Sequence, residues 1–216
     1  ITAILDPEPA PARELAARNQ QLEQEIVRRE HLTGQLSMIS RREAERWGLE
    51  GFVGHSPTAA GHARRFKIND DINTDYVISG RYKFKIQDPV ELGKHVMEDL
   101  DPDFYSKRLE PGDFIVAGEN FGCGSSREQA PMAIKYANIS AVIAKSFARI
   151  FYRNSFNLGM PLIECDTDGI QDGDELDVDF DRGVVKDKTK GSEIKISPLP
   201  KVMQTLLKDG GLVEHF

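Results

Sequence analysis

The sequence predicts an α/β domain, and three observations carry that expectation. Short apolar runs at 113–118 (DFIVAG), 140–145 (SAVIAK) and 161–165 (PLIEC) have the length and β-branched content of buried strands. Segments of helical period separate them. A glycine-rich loop joins the first of these strands to the helix after it, where free backbone N–H groups gather. With 216 residues, the chain can build one well-buried domain and an appendage, but hardly two domains of ordinary size.

In chain order, residues 1–50 read as a helical extension. A Pro-rich start (Pro7, Pro9, Pro11) leads into Glu14 to Arg46, rich in Glu, Arg, Gln and Leu. Leu15, Leu22 and Leu36 share a heptad register that Arg29 interrupts. That leaves a surface or partner-docking helix, a weak coiled coil, or a segment foreign to the domain. Residues 51–63 (GFVGHSPTAAGHA) are small and turn-forming, which suggests a linker and a domain spanning 64–216. RRFKI (64–68) reads as a strand, NDDIN as a turn and TDYVIS as a second extended piece. Asp88 followed by Pro89 signals a helix start, with Val90, Val96, Met97 and Leu100 as its apolar stripe.

Pro111-Gly112 turns the chain into the first buried strand. The glycine loop then leads into a helix holding Ala130 to Tyr136. After SAVIAK, a helix from Ser146 should stop near Gly159, where glycine suits the left-handed cap. ELDVDF alternates as a half-exposed strand, and Val184-Val185 and EIKIS suggest hairpin partners. A last helix is expected over Leu199 to Lys208, ahead of Gly210 and Gly211. The acidic stretch Asp166 to Asp181 lacks the residue order of a calcium loop and reads as solvated turns.

Composition narrows the function. Lys and Arg number 28 against 35 Asp and Glu, so a net charge of -7 repels a phosphate backbone and nucleic acid is not an expected partner. No apolar run approaches the roughly 18 to 20 residues of a membrane span, so no membrane association is expected. Cys123 and Cys165 cannot make a disulfide framework, and no basic-then-apolar segment opens the chain, which points to a cytoplasmic setting. Two cysteines and five dispersed histidines offer no close-spaced metal pattern, so this chain is expected to hold no metal.

The stretch Gly118 to Glu128 (GENFGCGSSRE) carries the most chemistry. It sits between a strand and a helix, where N–H groups and the helix dipole favour an anion such as a carboxylate. Arg127 stands where a dinucleotide fingerprint needs its third glycine, and no Gly-Lys-Ser/Thr closes a P-loop. Ser125-x-x-Glu128 and Ser126-x-x-Gln129 both match a capping box, a purely structural use. Against that, two hydroxyls and a guanidinium beside Gly122 and Gly124 exceed what a cap requires. Arg127 can grip a carboxylate bidentately, and either serine can face a substrate carbon. Cys123 offers a second nucleophile, a thiol near a helix start, though no histidine lies near it in sequence. Arg149 and Arg153 suit either a surface ion pair or substrate contact.

GENFGCGSSREQAP, followed by AVIAKSFARIFYRN and preceded by INTDYVISGRY, resembles the small subunit of the aconitase-type hydro-lyases, the group containing 3-isopropylmalate dehydratase and homoaconitase. The resemblance runs from about Phe66 to the C-terminus. It implies the swivelling β/β/α domain, here with an N-terminal helical extension, and a separate large subunit carrying a [4Fe-4S] cluster, as heterodimer or heterotetramer. The reaction implied is dehydration and rehydration of a hydroxy di- or tricarboxylic acid, with isopropylmalate leading and leucine biosynthesis as the setting. On the same resemblance, Ser125 is the base, acting as an alkoxide on a carbon-bound proton. Ser126, Arg127 and Gly124 lie around the substrate carboxylate, and Asp75 matches the aspartate of the family's Thr-Asp motif. The loop Arg81-Tyr82-Lys83-Phe84-Lys85 falls where the family reads the substrate's side group, with Phe84 at a position where methanogen relatives carry arginine. A different class stays open: a non-catalytic swivel module tethered to another protein through its N-terminal helix.

Overall fold

The computed structural model describes residues 58–82, 85–125, 127–196 and 205. The extension expected over 1–50 and, apart from Thr205, the last helix lie outside the described residues. Seven strands form one curled sheet: β1 (Thr58–Arg64), β2 (Phe114–Val116), β3 (Ala141–Ala144), β4 (Leu162–Glu164), β5 (Glu175–Asp179), β6 (Val184–Asp187) and β7 (Ser192–Lys195). Their order is β4-β3-β2-β1-β5-β6-β7. β1 to β4 are parallel, and β5, β6 and β7 are antiparallel, with β1 paired in parallel to β2 and antiparallel to β5.

The period of two along each strand divides the core between two faces. Ile115, Val142, Ala144 and Leu162 face one side, where they meet α1 (Thr74–Val77), α2 (Pro89–Gly93), α3 (Gln129–Tyr136) and α4 (Arg149–Asn157) through Val77, Leu92, Ala130, Ala133, Ile134, Phe151 and Phe156. Phe114, Val116, Ala141, Ile143 and Ile163 face the other, and pack with Leu176, Val178 and Val185 of the antiparallel half. β2 and β3 are buried along their whole length, which is why they read as unbroken apolar runs. The expected strands DFIVAG, SAVIAK and PLIEC, the ELDVDF strand and the hairpin of β6 with β7 are all present. Asp88 caps α2 through the Val90 N–H at 3.0 Å, and Gly159 closes the turn after α4 with φ +69°. The apolar stripe continues past α2 in turns rather than helix.

Three local expectations are corrected. Thr58 to Ala63, read as part of a linker over 51–63, is strand, and the expected strand at 64–68 has already ended at Arg64. The smallness that mimics a linker has a packing cause: a Cβ on Gly61 would fall onto the carbonyl of Gly112 in the turn before β2. TDYVIS is not extended but opens with α1, because Asn73 Oδ1 accepts the N–H groups of Asp75 and Tyr76 at 2.9 and 3.0 Å. The acidic turns are not simply solvated either: Asp168 pairs with Lys145, Asp172 with Arg108, and Asp174 with Lys190.

One buried carboxylate pins the two central strands. Asp113, 1% exposed, accepts from Arg64 Nε at 2.5 Å, from the His62 N–H at 2.9 Å and from the Glu110 N–H at 2.8 Å. Removing it strands a partly buried guanidinium and two backbone donors. Asp113→Ala is therefore expected to lower unfolding stability by about 3 kcal/mol, read by urea denaturation against wild type.

Candidate functional site

The site forms where the loops after β1, β2 and β3 meet at the carboxyl ends of the parallel strands, the usual ligand position in open α/β sheets. The glycine loop is stitched on both sides. Toward the loop after β1, Gly118 N–H donates to Asn69 O at 2.7 Å, Gly122 N–H to Ile72 O at 2.8 Å, and Thr74 N–H to Cys123 O at 2.9 Å. Toward the loop after β3, Phe121 N–H donates to Ser146 O at 3.0 Å, and Ala148 N–H to Phe121 O at 2.9 Å. Asn120, at φ +58°, gives its side-chain amide to Asp71 Oδ1 at 2.7 Å. Gly122, at φ +81°, lies so close to the Phe151 ring that a Cβ there would overlap it.

Within this frame Ser125 is exposed, and its carbonyl accepts the Thr74 hydroxyl at 2.9 Å. The capping reading fails for Ser125: α3 starts at Gln129, and its N-cap is Glu128, in helical geometry and with no cap hydrogen bond from its own side chain. Arg127 reaches Asp75 Oδ1 with Nη1 at 2.5 Å, and its side chain is only 14% exposed. Gly124, at φ +88°, turns the chain between Cys123 and Ser125 against Asn73 and Thr74. The structure thus places Asp75, Gly124, Ser125 and Arg127 at the meeting point of α1 and the glycine loop. Ser126, Lys83 and Phe84 lie outside the described residues.

Arg81, expected to bind substrate, is held by acidic neighbours in this structure. It pairs with Glu98 at 3.0 Å and Asp99 at 2.8 Å and lies over the Tyr82 ring. Tyr82 stacks on His95 with ring centroids 4.0 Å apart, its hydroxyl donates to Glu98, and His95 Nδ1 sits 2.5 Å from Glu98 Oε2. Lys85 is exposed, with its N–H on Tyr82 O at 3.0 Å. Arg81 thus anchors the base of the 81–85 loop to the 95–99 turn.

Both thiols are held in the protonated form, which disfavours a nucleophilic role. Burial, then the Asp71 charge, pushes the Cys123 thiol above its ordinary value, and burial drives Cys165 to about 11. Among the described residues His62, Glu110 and Asp113 bring potential ligand atoms within 4.8 Å, but Asp113 already holds Arg64 and two backbone donors there. Arg149 and Arg153 make no ion pair among the described residues. They line a groove of about 390 Å³ with Phe147, Tyr152, Phe156 and Glu164. Thr74 and Asn73 escaped the sequence reading, although Asn-Thr-Asp is a recognisable helix-start pattern.

Comparison with known proteins fits this geometry. The aconitase C-terminal domain family matches residues 84–167. The chain is 58% identical over 152 residues to 3-isopropylmalate dehydratase small subunit 2 of Archaeoglobus fulgidus, covering 70% of this chain and 92% of that protein. It is 55% identical over 150 residues to the 3-isopropylmalate dehydratase small subunit of Caldicellulosiruptor bescii, covering 68% and 89%. The crystal structure of 3-isopropylmalate dehydratase from Methanocaldococcus jannaschii superposes with a TM-score of 0.70 at 47% identity, over 73% of this chain and 92% of that one. The chain belongs to the aconitase-type hydro-lyases. Within them it is a small subunit of the 3-isopropylmalate dehydratase kind, which favours the enzyme reading over the interaction module.

The anchor below the 81–85 loop has a pH signature. Burial raises the Glu98 carboxyl, but hydrogen bonds from His95 and Tyr82 outweigh it and hold the group below its ordinary 4.5. A depressed folded value contributes stability above the ordinary value, and that contribution is lost as pH falls through the lowered one. The stability gap between wild type and Glu98→Gln is expected to hold near neutral pH and to close as pH drops below about 4.5, read by denaturation across a pH series. Cys123→Ala is expected to keep full activity in the assembled enzyme, since its thiol is held protonated.

Proposed function

We propose that this chain is the small subunit of a 3-isopropylmalate dehydratase, with Ser125 as the base that takes the carbon-bound proton of the hydroxy acid. The observation that supports this most is an exposed Ser125 two residues before Arg127, whose guanidinium Asp75 holds at 2.5 Å. Dehydration removes a proton from carbon and hydroxide from its neighbour. Ser125 Oγ accepts the proton and returns it in the reverse addition. Arg127 meets a substrate carboxylate, with Asp75 fixing the guanidinium's direction. The loop 81–85, with Lys83, Phe84 and Lys85, reads the side group.

This chain cannot complete the site by itself. A serine hydroxyl ionises far above neutral pH, each unit of correction costs about 1.36 kcal/mol, and a helix terminus supplies at most about 2 kcal/mol. Loop N–H donors, Arg127 and exclusion of water must act together, which requires a second wall. We assign that wall to a large subunit, in a heterodimer or heterotetramer. Iron-sulfur clusters need several thiolates. This chain has two cysteines, both with raised thiol pKa, so its residues do not fit a [4Fe-4S] group, and we place that cluster, the Lewis acid of the reaction, on the large subunit. A cytoplasmic location suits two free thiols.

The test is anaerobic assembly of the full chain with a candidate large subunit. The isolated chain is expected to be inactive. In the assembled enzyme Ser125→Ala is expected to cut kcat by about 10³-fold, a typical loss for a general base, with assembly intact. An unchanged rate in that variant would refute the assignment. Exchanging residues 83–85 should shift preference across a panel of isopropylmalate, homocitrate, dimethylmalate, citraconate and maleate.

A further inference from the structure

Thr74 stands at the point where the glycine loop meets α1. It is 2% exposed, and both of its donors are spent on the loop. Its N–H donates to the Cys123 carbonyl and its Oγ1 to the Ser125 carbonyl, each at 2.9 Å. One residue therefore grips both carbonyls that flank Gly124, the left-handed hinge of the loop. Across a trans peptide bond the N–H points opposite to the C=O. With the Cys123 carbonyl turned inward to Thr74, the Gly124 N–H is turned outward, and it has no hydrogen-bond partner among the described residues. The following residue, Asp75, leaves the same turn of helix to meet Arg127.

We propose that Thr74 is a positioning residue for Ser125. Its hydroxyl fixes the peptide plane on the carboxyl side of Ser125 and so sets where the serine Oγ stands relative to Arg127 and the outward Gly124 N–H. The inference rests on the reading of Ser125 as the base. Asn73 Oδ1 caps the turn through the Asp75 and Tyr76 N–H groups, and the Ile78 N–H donates to the Thr74 carbonyl, so the constraint runs from the helix cap through Thr74 to the reacting oxygen without touching substrate.

The test uses the full chain assembled with its large subunit. Thr74→Val keeps the shape and removes the donor. Because displacing a reacting group by about 1 Å costs roughly 10²-fold, kcat is expected to fall by up to about that factor while KM stays within about twofold. Thr74→Ser, which keeps the donor, restores most of the rate. In a Ser125→Ala background Thr74→Val adds no further loss, since the group it positions is gone. Independently of turnover, amide resonances of residues 122–127 in the isolated chain shift in Thr74→Val and return in Thr74→Ser. If the valine variant does not assemble, Thr74→Ala removes the same hydroxyl and is read in the same way. Wild-type kcat in Thr74→Val, or a loss carried by KM, overturns the positioning role while leaving the Ser125 assignment intact. An additive loss in the double variant overturns it too. Full activity in Ser125→Ala alone overturns the base assignment and this inference with it.

Discussion

The site depends on backbone hydrogen bonds that sew one glycine loop to its two neighbours. A segment with left-handed glycines at 122 and 124 has wide conformational freedom when unfolded, and ordering it is entropically costly. The pairings of 118, 121, 122 and 123 with 69, 72, 74, 146 and 148 offset that cost, and they do so through main-chain atoms. Side chains at 125 and 127 are thereby left available for other work. Phe151, packed under Gly122 and against Phe121 with ring centroids 5.3 Å apart, supports the loop from the core.

The chemistry divides between what the loop presents and what it lacks. It presents an exposed Ser125 and, two residues on, a guanidinium that Asp75 holds. It lacks enclosure, and an exposed hydroxyl in water has no reason to ionise. In the function proposed above, this chain brings Ser125 to a surface, and the burial that activates it comes from a second subunit.

Much of this was legible in the residues, for uneven reasons. β2 and β3 announce themselves because strands buried along their whole length must be apolar throughout, and β5 because buried and more exposed residues alternate along it. β1 did not, since Thr58 to Ala63 are small for a reason that appears only in three dimensions, the passage of the Gly112 carbonyl over Gly61. α1 was hidden by its four-residue length, too short for any period to show, although Asn73 carries the capping signal. At the site, Ser125, Arg127 and Gly124 stood out by density in sequence, whereas Asp75 needed the family resemblance and Thr74 needed the fold, since nothing local says that its hydroxyl meets a carbonyl 51 positions away. Arg81 was singled out through the family resemblance, and its two acidic partners, 17 and 18 residues on, are visible only in the fold.

β1 is also the seam at which a parallel half-sheet becomes an antiparallel one, paired with β2 on one edge and, from Thr58 to His62, with β5 on the other. Anyone trimming the polypeptide to its catalytic portion by sequence cues alone would cut inside that ribbon and unzip the sheet down its middle. A shortened polypeptide that keeps this sheet whole must begin no later than Thr58, where β1 starts.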